Sequence, residues 1–185
     1  MVIEVENNDE NDAFNVMDGN EVGCHGKDVQ GTADKLLEEL RMEFASLRSL
    51  TDFNRNGGKV EPISASLDRI VCEMTVGPED VNGKGTMHGG QTATLTDIIT
   101  ARAVGLRVKD RAMSSIELSV SYLLPVALGE IIEITAQVLK LGRNVAFTEA
   151  EFRRKSDGKL ASKGRHTLAI LPKQRQEDGS KIAQY

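Results

Sequence analysis

From Gly89 to about Gly105 the chain runs through Thr92, Ala93, Thr94, Thr96, Thr100, Ala101 and Ala103, interleaved with Leu95, Ile98 and Ile99. Its length and lack of proline predict a helix over about 89–105. The small side chains keep that helix slim, so a strongly curved sheet can wrap around it. Strand-like runs lie on both sides. One, Lys59 to Val76, precedes it and alternates only in its second half (Ile70, Cys72, Met74, Val76), with Pro62 at a ragged start. Four follow, at roughly 112–123, 129–141, 144–155 and 159–171. Pro125, Gly129, Gly142-Arg143-Asn144 and Ser156-Asp157-Gly158-Lys159 separate them, and the last two suit hairpins. A helix covered by a long antiparallel meander is an α+β arrangement.

A second, amphipathic helix precedes the sheet. Thr32 is placed to cap it, and Leu36, Leu37, Leu40, Phe44 and Leu47 recur at helical spacing while Met42 and Glu43 fall off the stripe. Residues 1–31 carry eight acidic side chains against Lys27 alone, with no apolar period, and read as a disordered acidic tail. The other 154 residues then carry a net charge of +2, too weak and unconcentrated for a nucleic-acid binder. Residues 32–172 form one domain with no internal repeat, and 173–185 a polar C-terminal tail. Asn54-Arg55-Asn56-Gly57-Gly58 reads as a turn. Cys24 and Cys72 make no disulfide framework, and no apolar run is long enough to span a bilayer. The expected compartment is the cytoplasm, with the mitochondrion as the alternative.

The chemistry concentrates in Val81–Asp97. Asn82, Gly83, Gly85 and Thr86 form a loop that delivers His88-Gly89-Gly90 to the start of the slim helix. A helix start offers free backbone N–H groups and the positive end of its dipole, which suit an anion or a carbonyl oxygen becoming one. Asp97 follows among Leu95, Ile98 and Ile99, where an ionised group needs a partner or a task. His25, His88 and His166 lack metal-ligand spacing, so no metal is expected. The glycines form neither a P-loop nor a dinucleotide fingerprint, and Ser114-Ser115 has no nucleophile-elbow context.

The string Asn82-Gly83-Lys84-Gly85-Thr86-Met87-His88-Gly89-Gly90, with Asp97 nine residues after the histidine, resembles the hot-dog-fold acyl-CoA thioesterases of the phenylacetate-degradation type. Within these it is most similar to the animal thioesterase superfamily member 2 branch. The similarity continues through Ser115–Leu118, Tyr122–Pro125, Leu139–Arg143, Ala146–Thr148 and Gly164–Thr167, and covers about residues 35–172. It implies a hot-dog fold, a homotetramer built as a dimer of dimers, and active sites at the dimer interface. The residues agree with the last point. Gly89 and Asp97 are eight residues apart on one helix, about 12 Å along its axis, so one protomer cannot bring both to the same thioester. A two-fold dimer with antiparallel helices brings Asp97 of one chain to Gly89 of the other.

The resemblance implies hydrolysis of acyl-CoA, with medium- to long-chain fatty acyl groups expected and no cofactor beyond the substrate's own CoA. The Gly89 N–H stabilises the oxyanion, and Asp97 is general base or, through a mixed anhydride, nucleophile. Asn82 orients the water or the carboxylate, Ser115 assists from the partner chain, and His88 holds the loop or helps the leaving thiolate. Ser115, Glu117, Tyr122, Pro125, Lys140, Gly142, Arg143 and Asn144 are implied in substrate and CoA binding, with Lys140 and Arg143 on the phosphates. Taken alone, Asn82, Ser115 and His88 read first as a turn, a strand and a loop residue, and Lys140 and Arg143 equally as a solvated hairpin. Two other functions fit the fold class: an acyl-thioester hydratase, and a non-catalytic acyl-CoA-binding module.

Overall fold

The computed structural model describes residues 26–173, with side chains described from residue 31 onward. Most of the acidic tail expected over 1–31, and all but Lys173 of the polar tail expected over 173–185, lie outside the described residues. A first helix, α1 (Gly26–Leu47), begins before the expected cap at Thr32. The apolar stripe starts only at Leu36, so nothing in the periodicity marks the turns before it. Leu36, Leu40, Phe44 and Leu47 are buried, whereas Met42, off the stripe, is 63% exposed.

The expected turn at 54–58 is a 3-10 helix, Phe53–Lys59, started by Asp52, whose carboxylate accepts the Asn54 N–H at 2.9 Å. The run read as one strand over Lys59–Val76 is two, β1 (Glu61–Ser66) and β2 (Arg69–Thr75), joined as a hairpin through Leu67-Asp68. No glycine or proline marks that bend. Instead the Asp68 carbonyl accepts the Val138 N–H at 2.8 Å and its carboxylate accepts Arg107 at 2.6 Å, so distant partners fix the turn.

The central helix α2 (Gly89–Gly105) has the expected span. Strands β3 (Met113–Tyr122), β4 (Ile131–Leu141), β5 (Val145–Arg154) and β6 (Leu160–Ile170) complete one antiparallel sheet, with order β1-β2-β4-β5-β6-β3. Alternation puts Ile132, Ile134, Ala136 and Val138 of β4 and Ala146, Ala150 and Phe152 of β5 on the face that curves around α2. Thr92, Leu95, Thr96, Ile99, Thr100, Ala103 and Val104 bury the helix against them. The fit is closest at Gly164, where a Cβ would lie 2.5 Å from Thr96 Cγ2. Thr96 and Thr100 tolerate burial because the Thr96 hydroxyl returns to the Thr92 carbonyl at 2.9 Å and the Thr100 hydroxyl lies 2.7 Å from both the Thr96 carbonyl and His166 Nδ1. Among the described residues no helix is long and apolar enough to cross a membrane.

Candidate active site

The loop before α2 is held at its base by Asp80, which is 2% exposed. Its Oδ1 takes the Lys59 ammonium at 2.7 Å, its Oδ2 takes the Gly77 N–H at 2.9 Å, and its carbonyl takes the His88 N–H at 2.7 Å. A buried carboxylate with these partners anchors the loop directly to the first turn of the helix. Beyond it, Asn82 closes the 82–86 turn: its Oδ1 accepts the Lys84 N–H at 2.8 Å and its Nδ2 donates to Thr86 Oγ1 at 3.0 Å. Within one chain, then, Asn82 is a turn-forming residue.

At the helix start the N–H groups are unequally shared. His88 is the N-cap, and its Nδ1 accepts the Gly90 N–H at 2.9 Å. The His88 carbonyl receives the Gln91 and Thr92 N–H groups at 2.9 and 3.3 Å. The Gly89 N–H has no acceptor among the described residues. Because Nδ1 accepts, the proton of a neutral His88 ring sits on Nε2. Tyr122, expected to meet substrate, instead reaches back from the end of β3 and donates its hydroxyl to the Gly89 carbonyl at 2.9 Å. Its ring lies against the glycine, so that a Cβ on Gly89 would come within 3.1 Å of Tyr122 Cζ.

Asp97 does not point into the apolar residues that neighbour it in sequence. Its side chain is 48% exposed. Leu95, Ile98 and Ile99 are buried on other sides of the helix, whereas the carboxylate points toward the β3–β6 side of the sheet. Ser115 Oγ donates to Asp97 Oδ1 at 2.7 Å within the same chain, so the two arrive at a site together. Below them lies His166 of β6, wholly buried, with Nε2 3.3 Å from the same Oδ1 and Nδ1 2.7 Å from Thr100 Oγ1. Burial pushes the His166 pKa below the usual 6.5, against the opposing pull of Asp97 and Glu117, so the ring is neutral near pH 7. The Nε2 contact is near enough for a hydrogen bond but not aligned as one, and that nitrogen has no other partner among the described residues.

A bulge at Ile116 separates two residues expected to act together: Ser115 pairs with Leu168 but Glu117 with Thr167. Ser115 therefore shares the inner face with Asp97, and Glu117 lies on the opposite face. Pro125 follows β3, its carbonyl accepting Arg154 at 3.3 Å. Lys140 lies near the end of β4, paired with Phe147, and Gly142, Arg143 and Asn144 form the β4–β5 turn, where the Gly142 N–H donates to the Val145 carbonyl at 2.8 Å. The Lys140 and Arg143 side chains are exposed and make no ion pair among the described residues. Arg111 braces this turn: Nη1 donates to the Arg143 carbonyl, Nε to that of Leu171 and Nη2 to that of Ile170, at 2.7, 2.7 and 2.8 Å.

Sequence reasoning missed Asp80, Arg111, Thr100 and the place of His166. His166 was visible in the Gly164–Thr167 string, but only strand pairing brings a residue 69 positions away beneath Asp97. The two best-formed surface depressions, about 370 and 470 Å³, lie on the outer sheet face around Glu133 and Glu149 and beside the 3-10 helix at Arg55. Neither touches Gly89 or Asp97.

The model of the thioesterase superfamily matches residues 84–161. Acyl-coenzyme A thioesterase 13 of Homo sapiens is 39% identical over 132 residues, covering 71% of this chain and 94% of that protein. A Caenorhabditis elegans protein described as a candidate esterase is 56% identical over 146 residues, covering 79% of this chain and 86% of that one. The crystal structure of zebra fish thioesterase superfamily member 2 superposes with a TM-score of 0.70 at 38% identity, covering 73% of this chain and 98% of that chain.

Proposed function

Because the chain belongs to the thioesterase superfamily, we propose that it hydrolyses acyl-CoA to a free acid and CoA, at sites shared between two chains. The observation that carries this reading is the Gly89 N–H: of the donors at the start of α2 it is the one left free, while His88 occupies its neighbour. A preorganised donor at a helix N-terminus suits a thioester carbonyl, whose oxygen gains charge as the carbon turns tetrahedral.

Asp97 and Ser115 of one chain serve the carbonyl held by Gly89 of the other. β3 is an edge strand whose neighbourhood exposes Ile116, Tyr122, Leu123 and Leu124, and pairing two such edges about a two-fold axis covers them and sets the α2 helices antiparallel. A dimer of such dimers is the expected assembly. Asp97 Oδ1 is tied to Ser115, which leaves Oδ2 to take a proton from water as its oxygen attacks the carbonyl carbon. The C–S bond then breaks and the proton passes to the CoA thiolate. Attack by the carboxylate itself, through a mixed anhydride, uses the same geometry. His88 offers its Nε2–H to the leaving sulfur, and Lys140 and Arg143, without acidic partners among the described residues, suit the CoA phosphates. The fatty acyl group is expected to be of medium to long chain, and water is the only co-reactant.

The test is thiol release from short, medium and long acyl-CoAs by wild type and by Asp97→Asn. Wild-type turnover should fall by about 10³-fold or more in the variant, as for loss of an essential base. Wild-type binding of acyl-CoA without turnover would instead favour a binding module. Turnover that survived the substitution would remove Asp97 from the mechanism.

A further inference from the structure

His166 reaches the reacting carboxylate from inside the core, and what it does there depends on which ring nitrogen carries its proton. A neutral imidazole has one N–H. Its two neighbours, Thr100 Oγ1 at Nδ1 and Asp97 Oδ1 at Nε2, make different demands. An ionised carboxylate is purely an acceptor, so a bare Nε2 lone pair 3.3 Å from it is repulsive and a proton there is attractive. The Thr100 hydroxyl has a single proton and two near acceptors, the Thr96 carbonyl and His166 Nδ1, both at 2.7 Å. The Thr96 carbonyl sits inside a continuous helix and already has the backbone N–H one turn on as its donor. Nδ1 has no other donor among the described residues, and an unpaired buried lone pair is costly. Both demands are met in one arrangement only, with Thr100 donating to Nδ1 and His166 donating from Nε2.

We propose that Thr100 and His166 form an inner positioning relay for Asp97: the Thr100 hydroxyl selects the Nε2–H tautomer of His166, and that N–H, with Ser115, holds Asp97 Oδ1 so that Oδ2 alone faces the reaction. This rests on Asp97 acting as proposed above. The relay lies wholly behind the carboxylate. His166 has 0% side-chain exposure, so neither relay residue needs to touch substrate. The charged groups acting on His166 are Asp97 and, less strongly, Glu117. Thr148, facing it from β5, is neutral and uses its hydroxyl on the His166 carbonyl at 2.8 Å. Catalytic hydrogen bonds in unliganded sites are often loose in the way this Nε2 contact is.

Two measurements on the full-length protein test it. The ¹⁵N shifts of the His166 ring report the tautomer without turnover: a protonated Nε2 and a bare Nδ1 are expected in wild type, and the reverse assignment overturns the relay even if the protein is a thioesterase. Thr100→Val keeps the shape but removes the hydroxyl. Its expected effect is a kcat lower by about tenfold with KM within about twofold, the scale of one hydrogen bond lost behind a catalytic group. The ring shifts of His166 in this variant should show loss of the fixed Nε2–H tautomer. Thr100→Ser, which restores the hydroxyl, should restore both. A merely structural Thr100 would lower the melting temperature of the valine variant but leave kcat and the His166 ring shifts in place, and that result would overturn the proposal. A wild type without acyl-CoA turnover would remove Asp97's role while leaving the tautomer assignment to stand or fall on the ring shifts.

Discussion

The contact between Gly164 and Thr96 offers a sharp test of how closely the sheet is fitted to its helix. In Gly164→Ala the new Cβ would lie 2.5 Å from Thr96 Cγ2 and 2.7 Å from its Oγ1. Unstrained carbon contacts sit at about 3.5–4.0 Å, so the two elements must part by about 1 Å. Thr96 cannot swing clear cheaply: it is fully buried, and its hydroxyl is committed to the Thr92 carbonyl at 2.9 Å. Overpacking of this size costs about 1–3 kcal/mol, or about 3–10 °C in melting temperature for a domain of this length. Asp97 is the next residue on the helix, so the strain reaches the site, and a shift of about 1 Å lowers kcat by about tenfold to a hundredfold. The decisive assay is a double-mutant cycle read by thermal melts and thiol release. Thr96→Ala removes both offending atoms and leaves a Cβ contact of 3.2 Å. The double variant should therefore regain most of what Gly164→Ala loses, with a coupling of at least about 1 kcal/mol. Additive effects would refute the reasoning, since they would mean that the two positions are not in contact.

Three further outcomes follow from other parts of the structure. Gly89→Pro should leave α2 intact, because His88 already has extended backbone and proline suits the first helical position, yet it deletes the free N–H; kcat should fall by about 10²-fold or more below that of Gly89→Ala, which meets Tyr122 through the same Cβ but keeps the donor. Arg111→Met should raise KM for acyl-CoA about fivefold to tenfold with kcat nearly unchanged, as expected for loss of uniform binding, and should leave KM for thioesters lacking the nucleotide unaltered; equal effects on both substrates would show that the brace does not act through the turn proposed to meet the phosphates. Burial pushes the Cys72 thiol up to about 12, so between its ordinary value of 9.0 and that point the unfolded thiol loses its proton and the folded one keeps it. Stability should thus fall as pH rises through this window, by up to about 1.4 kcal/mol per pH unit from this group, and Cys72→Ala should flatten that slope in urea melts.

How much of this was legible depended on whether the signal was local. α2 could be placed to the residue because a His-Gly-Gly start and a slim run without proline are properties of consecutive positions. The later strands were legible for the same reason, their turns carrying glycine, asparagine and proline. The bend at Leu67-Asp68 carries little such chemistry, and the bonds that hold it come from Val138 and Arg107. The bulge at Ile116 is equally silent in sequence, yet it decides that Ser115 meets Asp97 while Glu117 does not. Asp97 itself was picked out for its apolar neighbours, which in the folded chain lie on other sides of the helix. The resemblance named Asn82, His88, Gly89, Asp97 and Ser115 as one group, and the structure brings them together in two clusters. Of the buried supports, Asp80 behind the loop takes the distant Lys59 as well as the nearby Gly77 and His88, and His166 comes behind the carboxylate through strand pairing alone.

Those two clusters, one at the start of α2 and the other at its middle, have a genetic consequence if each site is completed by a second chain. A lesion at Asp97 and a lesion at Gly89 would then be complementary defects. Two copies of either allele leave every site dead, whereas a mixed dimer contains one site that draws its carboxylate and its helix start from the undamaged parts of both chains. Random pairing of equal amounts of the two products would restore about a quarter of all sites. In an organism carrying one allele of each kind, two inactive gene products would together make a working enzyme.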